Sequence, residues 1–253
     1  MMSPLFSIIT VTYNAADTIG VTMKSVARQT CCDYEHIVMD GKSSDDTIAI
    51  ARGLASPHTR IVSQKDNGIY DAMNKGIEMS NGKYLIFMNA GDTFHAANTL
   101  ELMANAITET NEPGIVYGQT VIVEGVERKV IGKRHLTAPR ELSVQSFADG
   151  MVVCHQAMAV SANIAGQYDL KYRYSADYEW VIRCLQHSSH NTYVDDTIVD
   201  YLSEGTTTKH LTESLYERFR IMCHYYGTFS SIIRHIKFIA RGAYRIIIRQ
   251  STQ

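Results

Sequence analysis

Little in this 253-residue sequence is of the kind that breaks or cross-links a chain. Its 4 prolines and 16 glycines are too few for a collagen-like, linker-rich or low-complexity protein. The 5 cysteines are odd in number, Cys31 and Cys32 are adjacent, and no C-x-x-C pair occurs. Neither a disulfide framework nor a thiolate zinc site is therefore expected, and a reducing cytosol fits best. No uninterrupted apolar run nears the ~20 residues that a membrane-spanning helix needs. The opening Met1-Met2-Ser3-Pro4 carries no basic stretch and no small-residue cleavage site, so export through a signal is not expected. Neither sign of charge dominates: 24 Lys and Arg against 26 Asp and Glu give a net charge of -2, which argues against nucleic acid as a partner. What is present, 45% hydrophobic and 20% charged residues, suits a folded protein, long enough for one large α/β domain that buries about 75% of its unfolded surface.

The near-neutral average hides an asymmetry. Residues 228–253 hold Arg234, Lys237, Arg241, Arg245 and Arg249 and no acid; taking those from the 24 basic residues leaves 19 against 26 acidic ones. On a helical wheel the five cations fall within about 120°. Ile232, Ile236, Ile239, Ala243, Ile246 and Ile247 occupy the opposite face. A basic amphipathic helix of this kind is expected to lie on an anionic membrane surface, the plain alternative being a helix packed on the domain with a solvated basic face.

Ahead of that tail, short apolar runs alternate with amphipathic stretches. Strands are expected at 6–13, 34–39, 60–63 and 84–88, and helices at 17–28, with Asp17 as a plausible N-cap, at 45–54, at 70–79 and around 97–109. This spacing implies parallel βαβ units and a sheet covered on both faces. Segments 115–123 and 128–131 flank a Glu124-Gly125 turn and read as antiparallel. Residues 133–176 are less regular, and 177–186 again reads as a helix. No repeat and no linker rich in Pro, Gly or Ser marks a boundary.

Ligands of open parallel sheets bind beyond the carboxyl ends of the strands. Polar residues gather there three times: Thr12-Tyr13-Asn14; Asp40-Gly41-Lys42-Ser43-Ser44-Asp45-Asp46; and Asn89-Ala90-Gly91-Asp92. Asp40 is placed to accept from a nucleobase or a ribose hydroxyl, whereas Ser44, Asp45 and Asp46 read at least as well as a turn and cap. Asp71, Asn74 and Lys75 share one side of a helix, where Asp71 and Lys75 could also be a plain surface ion pair. A strand-end carboxylate such as Asp92 suits Mg2+ or Mn2+, hard cations that keep substrate phosphates in their shell. A lone Asp in a turn is more often a cap, so Asp92 carries weight only with the other two clusters.

Four ordered motifs make the sequence specific. Phe6 to Asn14 (FSIITVTYN), the Asp40-Gly41-x-Ser-x-Asp-x-Thr loop, Asp66 to Gly76 (DNGIYDAMNKG), and Gly82-Lys83-Tyr84 leading to Asn89-Ala90-Gly91-Asp92 resemble the family 2 glycosyltransferases of GT-A fold, in particular those of bacterial cell-surface polysaccharide (colanic-acid-type) biosynthesis. The likeness runs over about residues 5–205. It implies a Rossmann-like, mostly parallel central sheet flanked by helices, with a C-terminal amphipathic helical extension. It further implies a glycosyltransferase domain at 1–210, with a donor half at 1–112 and an acceptor half at 113–210, followed by a helical, basic membrane-association segment at 211–253.

The implied activity is inverting transfer of a sugar from a nucleotide-diphosphate sugar, UDP-linked by expectation, to a hydroxyl of a glycan or lipid-linked acceptor. The site implied is cytoplasmic, peripheral on the inner face of the membrane, and a homodimer is compatible with it. In that family Thr12, Tyr13, Asn14, Asp40, Asp71, Lys75 and Asn89 correspond to donor-binding positions. The family's Asp-x-Asp metal motif aligns with Ala90-Gly91-Asp92, so only the last carboxylate remains to hold Mn2+ or Mg2+, and His210 is a candidate to complete the metal shell.

Ser175-Ala176-Asp177-Tyr178-Glu179-Trp180 stands where such enzymes carry the base that deprotonates the acceptor hydroxyl. A sugar hydroxyl attacks poorly unless its proton is removed, so Asp177 is the expected base, Glu179 its fallback and Tyr178 an acceptor-side neighbour. The bland alternative for Asp177 is a helix N-cap. His155, in Cys154-His155-Gln156, is expected to border the acceptor cleft, or else to be a satisfied structural histidine. Two other classes remain open: a nucleotide-sugar-binding protein weakened in catalysis, suggested by Ala90, and a nucleotidyltransferase, for which Thr12-Tyr13-Asn14-Ala15-Ala16 lacks the usual basic, Gly-rich loop.

Overall fold

The computed structural model describes residues 3–125, 127–203 and 210–236. Its centre is a nine-stranded sheet. The first four long strands, β1 (Phe6–Thr12), β2 (Tyr34–Asp40), β3 (Thr59–Ser63) and β4 (Tyr84–Phe87), are parallel in the order β3-β2-β1-β4. They are joined by helices α1 (Ala16–Ala27), α2 (Thr47–Gly53) and α3 (Ile69–Met79). Strand β1 is buried over its whole length, as expected for a β-branched run lying between two parallel neighbours. Its buried polar side chains are all but one satisfied: Ser7 donates to Glu35 at 2.6 Å, and Thr10 pairs with His36 at 2.9 Å. Gly76 lets α3 lie close on the sheet, since a Cβ there would come within 2.5 Å of Ile9.

The expected helix at 17–28 is present, but Asp17 is not its cap. The chain enters α1 at Ala15, and the free N–H groups of Ala15 and Ala16 donate to Thr47 Oγ1 (2.8 Å) and Asp45 Oδ2 (3.1 Å) from the β2–α2 loop. The acidic loop thus caps a neighbouring helix rather than only its own.

After β4 the direction of the sheet changes. Short β5 (Thr93–Phe94) and α4 (Thr99–Glu109) lead to β6 (Ile115–Glu124), which pairs antiparallel with β7 (Lys129–Lys133) as expected. Within the stretch read as irregular lies β8 (Met158–Ser161), antiparallel to both β4 and β6. Helix α5 (Ala176–His187) is followed by the long β9 (Asn191–Leu202), parallel to β6 and antiparallel to β5. The sequence did not suggest β9, because the pair Asp195-Asp196 breaks its alternation and only Ile198 and Val199 are fully buried.

Helix α6 (Leu211–Tyr226) then packs its Ser214, Ile221 and Met222 inward, and residues 228–236 are helical as well. In that last stretch Phe229, Ile232 and Ile236 are exposed, while Arg234 turns back to the body and pairs with Asp149 at 2.5 Å. The wheel drawn from 228 to 253 lies outside the described residues beyond 236. Among the described residues no helix is long and apolar enough to cross a membrane.

Candidate active site

The chain steps from β1 to β2 and β3 on one side and then crosses to β4 on the other, so the strand order reverses between β1 and β4, where an open α/β sheet opens a crevice. Thr12 ends β1 opposite Asp40, its Oγ1 buried with no partner among the described residues. Tyr13, next in the chain, is exposed. Asn14 adopts a left-handed φ of 46° and is locked to the next loop: its N–H donates to Ser43 Oγ (2.8 Å), and its Oδ1 accepts from the Ser44 N–H (2.9 Å).

Asp40 is buried and fully engaged by its own surroundings. It accepts from the N–H groups of Lys42 (3.1 Å) and Ser43 (3.1 Å) and from the hydroxyls of Ser43 (2.5 Å) and Ser63 (2.6 Å). Its carboxylate therefore shapes the loop instead of standing free in the crevice. The loop packs closely at Gly41, where a Cβ would meet Asp66 Oδ2 at 2.5 Å and the Tyr13 ring at 3.3 Å. Asp66 was part of the quoted motif but was not singled out.

On the first turns of α3, Asp71 accepts from the Asn67 N–H (2.9 Å) and from Lys75 Nζ (3.0 Å). Lys75 also donates to the Lys65 carbonyl (2.9 Å). Burial raises the Asp71 carboxyl, but the Asn67 N–H and Lys75 outweigh it and hold it below the usual range. Asn74 is buried and structural: its side chain bonds both the N–H and the carbonyl of Tyr168.

At the end of β4 the turn Asn89–Asp92 is held by Thr22, whose hydroxyl donates to the Asp92 carbonyl (2.8 Å) and accepts from the Gly91 N–H (2.9 Å). Asp92 is buried; its Oδ1 accepts from the Leu202 N–H (2.9 Å) and its Oδ2 from the Gln156 amide (3.0 Å). Burial pushes its carboxyl up to about 6 despite these bonds. Arg128, reaching over from beyond β6, donates to the Gly91 carbonyl (2.5 Å) and to Thr93 (2.8 Å), and so places a cation beside the turn.

A divalent metal fits here in a limited way. Asn89 Oδ1 is buried and lacks a partner among the described residues, and each Asp92 oxygen keeps a free lone pair, so this turn supplies hard oxygen donors. Among the described residues no cluster of three His, Cys, Asp or Glu forms a complete protein cage, so a cation would need further ligands from substrate phosphate. His210 is not gathered to this turn. It opens α6, where it stacks on Tyr174 (centroids 4.8 Å apart) and lies 3.7 Å from Glu213.

Across the crevice, Asp177 is the second residue of α5, and Ser175 takes the N-cap position. The plain capping alternative is therefore replaced by a more specific arrangement. Asp177 Oδ1 accepts from the Tyr70 hydroxyl (2.9 Å), and His155 Nδ1 lies 3.4 Å from Oδ2. Burial alone would raise its carboxyl, but His155, the charge of Arg218 and the Tyr70 hydroxyl together hold it below the usual range.

His155 is buried and its Nε2 has no partner among the described residues. Beneath it, Phe87 meets His155, Tyr168 and Trp180 edge-on, and Tyr168 stacks between Tyr70 (5.4 Å) and Trp180 (4.9 Å). This aromatic floor excludes water and fixes the groups around Asp177.

Tyr178 and Glu179 are placed otherwise than expected. Tyr178 is fully buried with its hydroxyl on the Phe147 carbonyl (2.5 Å). Glu179 is held by Arg183 (3.2 Å) and by the Tyr225 hydroxyl (2.7 Å). Both side chains point into helix packing, because successive helical residues lie about 100° apart and only Asp177 faces the sheet edge. Tyr70, Arg128, Gln156 and Arg218 were not singled out by sequence reasoning. Tyr70 stood inside a quoted motif and could have been found there; Arg128 and Arg218 carry no local signal.

The fold is a GT-A scaffold, with buried Asp92 at the end of its parallel half and Asp177 at the start of α5. Residues 7–164 match Glycosyl transferase family 2, and the chain belongs to that family and is a glycosyltransferase. It is 34% identical over 213 residues to a PGL/p-HBAD biosynthesis glycosyltransferase of Mycobacterium tuberculosis, covering 81% of this chain and 79% of that one. Its fold is similar to that of S. aureus TarS 1-349 in complex with UDP-GlcNAc, with a TM-score of 0.71 at 17% identity over 94% of this chain and 73% of that one. It is also similar to the mannosyltransferase PcManGT of Pyrobaculum calidifontis in complex with GDP-Man and Mn2+, with a TM-score of 0.63 at 15% identity over 100% of this chain and 81% of that one.

Proposed function

We propose that the chain is an inverting glycosyltransferase that moves a sugar from a nucleotide-diphosphate sugar, UDP-linked, to a hydroxyl of a glycan or lipid-linked acceptor in bacterial surface polysaccharide assembly. The observation that carries this is Asp177: a buried carboxylate kept ionised by Tyr70, His155 and Arg218 at the start of α5. In the transfer, the acceptor oxygen bonds to the anomeric carbon as its proton passes to Asp177. The bond from that carbon to the diphosphate breaks on the opposite face, and the nucleoside diphosphate leaves. His155 and Tyr70 keep the carboxylate in place and charged. Tyr13, exposed at the end of β1, is placed to meet the base, and Asp71 and Lys75 on the first turns of α3 are placed for the ribose and diphosphate.

A divalent cation, Mn2+ or Mg2+, held by Asp92 and Asn89 would balance the charge of the departing diphosphate. The UDP-GlcNAc of the TarS complex and the Mn2+ of the PcManGT complex support donor class and metal. We read residues 1–210 as the catalytic domain and 211–253 as its C-terminal extension, of which α6 packs on the domain and the stretch from 228 onward rests on the inner face of the cytoplasmic membrane. Exposed Phe229, Ile232 and Ile236 support that docking. The test is release of nucleoside diphosphate from UDP-GlcNAc, UDP-Glc, UDP-Gal and GDP-Man with Mn2+ present. Turnover of one UDP-sugar, abolished in Asp177→Asn with UDP binding intact, is expected; full activity of that variant would overturn the assignment of the base.

A further inference from the structure

Ser175 occupies the N-cap of α5, yet its hydroxyl does not cap that helix. It turns to α6, meeting Ser214 Oγ at 3.0 Å and the Ser214 carbonyl at 3.2 Å, with both serines buried. The backbone leading into α5 is held from the same side. The N–H groups of Arg173, Tyr174 and Ser175 all donate to the carboxylate of Glu217, at 2.8, 2.8 and 2.9 Å. Three consecutive N–H groups on one carboxylate form charge-assisted bonds, stronger and more directional than neutral ones. One turn further along α5, Glu179 accepts from Tyr225 of α6 at 2.7 Å. Helix α6 thus grips the start of α5 at three successive levels, and Asp177 lies two residues beyond the triple bond.

None of these groups touches the candidate base. Asp177 has its hydrogen-bonding partners in Tyr70 and His155, which belong to other parts of the chain, and from α6 it feels only the charge of Arg218. Its carboxylate meets them only if the first turn of α5 is held at the right height and rotation. Ser175 supplies no cap bond to do this, and the fixed point is the Glu217 carboxylate.

We infer that Glu217 is a positioning residue for glycosyl transfer: from α6 it fixes the backbone of 173–175, and through it the place of Asp177 against Tyr70 and His155. This rests on the reading of Asp177 as the base. It makes α6 a working part of the transfer site as well as the route to the tail.

The test uses the full chain with UDP-GlcNAc and Mn2+, water serving as acceptor, and compares wild type, Glu217→Gln, Glu217→Asp and Asp177→Asn. In Glu217→Gln one acceptor oxygen becomes an amide that faces N–H donors. Amide hydrogen exchange over 173–178 should speed up, while exchange over α3 stays as in wild type. The kcat for UDP release should fall by about 10- to 100-fold, the scale expected when a catalytic group is displaced by ~1 Å, with KM for UDP-GlcNAc and the Kd of UDP unchanged.

Glu217→Asp keeps the carboxylate and should recover part of the loss. Wild-type kcat in Glu217→Gln, beside an inactive Asp177→Asn, would overturn the inference and leave the base standing. A fully active Asp177→Asn would overturn the base reading, and the inference with it. If Glu217→Gln does not fold, or UDP-GlcNAc is not turned over, exchange in Glu217→Asp decides: unchanged protection over 173–178 overturns the inference, and faster exchange confined there supports it.

Discussion

Two buried carboxylates face this crevice and their surroundings treat them in opposite ways. Asp92, at the end of the parallel half of the sheet, is bonded by a backbone N–H and an amide, and burial pushes it up to about 6 although the charges of His155 and Arg128 oppose the rise. Asp177, on the acceptor side, is buried too, but a histidine, a tyrosine hydroxyl and the charge of Arg218 hold it below the usual carboxylate range. Titratable groups whose environments drive their pKa values apart carry different roles. The carboxylate kept charged by the protein can wait for a substrate proton. The one whose charge is poorly compensated has most to gain from a cation brought with the substrate.

The largest effect should come from removing the charge that the protein maintains. Asp177→Asn is expected to lower transfer by about 10²- to 10⁴-fold, the range for a lost general base, with UDP affinity unchanged by calorimetry. Asp92→Asn is the contrasting change. It should erase the gain in UDP affinity that Mn2+ gives to wild type, at least about tenfold by analogy with losses at other metal sites, while UDP binding without metal stays the same. Equal Mn2+ dependence in the two variants would break the comparison.

A third buried titratable group bounds the pH range over which the two can be compared. His36 is fully buried on β2, and burial pushes its imidazole down to about 3. A histidine lowered in the folded state contributes stability that is present above its unfolded value near 6.5 and is lost as pH falls from there toward about 3. Folding should weaken by about 1.4 kcal/mol for each pH unit in that window. Thermal melts from pH 7.5 to 5 should show the slope, and His36→Asn should flatten it. The smallest effect is expected at Glu179, two residues from Asp177. Glu179→Gln should cost about 1–3 kcal/mol of stability through its Arg183 and Tyr225 contacts, read by urea titration, and leave kcat nearly unchanged.

The sequence and the structure agree most closely where periodicity and strand-end polarity act together. The four parallel strands, α3 and the Asn89–Asp92 turn lie within a residue or two of their expected bounds. Asp177 stands at the start of its helix, as expected, although Ser175 and not Asp177 is the cap. What could not be read from the chain depends on distant partners. Asp40 looked like a free carboxylate at a strand end, yet the donors that saturate it include Ser63, brought alongside only by the pairing of β2 with β3. Tyr178 and Glu179 share a motif with Asp177, but the helical turn sends them into packing with Phe147 and Tyr225. Strand β9 was hidden because its burial depends on β6 and β5, and local alternation does not report it.

Tyr70 and Asp71 are adjacent on the first turn of α3. One donates to the base on the acceptor side, and the other is locked to Lys75 on the donor side. No small rotation of that turn can move one without moving the other. Substitutions in the two halves of the crevice therefore will not combine as independent events. A double-mutant cycle between Lys75 and Asp177 should return a coupling energy well outside the few tenths of a kcal/mol typical of unlinked sites, although no hydrogen bond joins the two side chains.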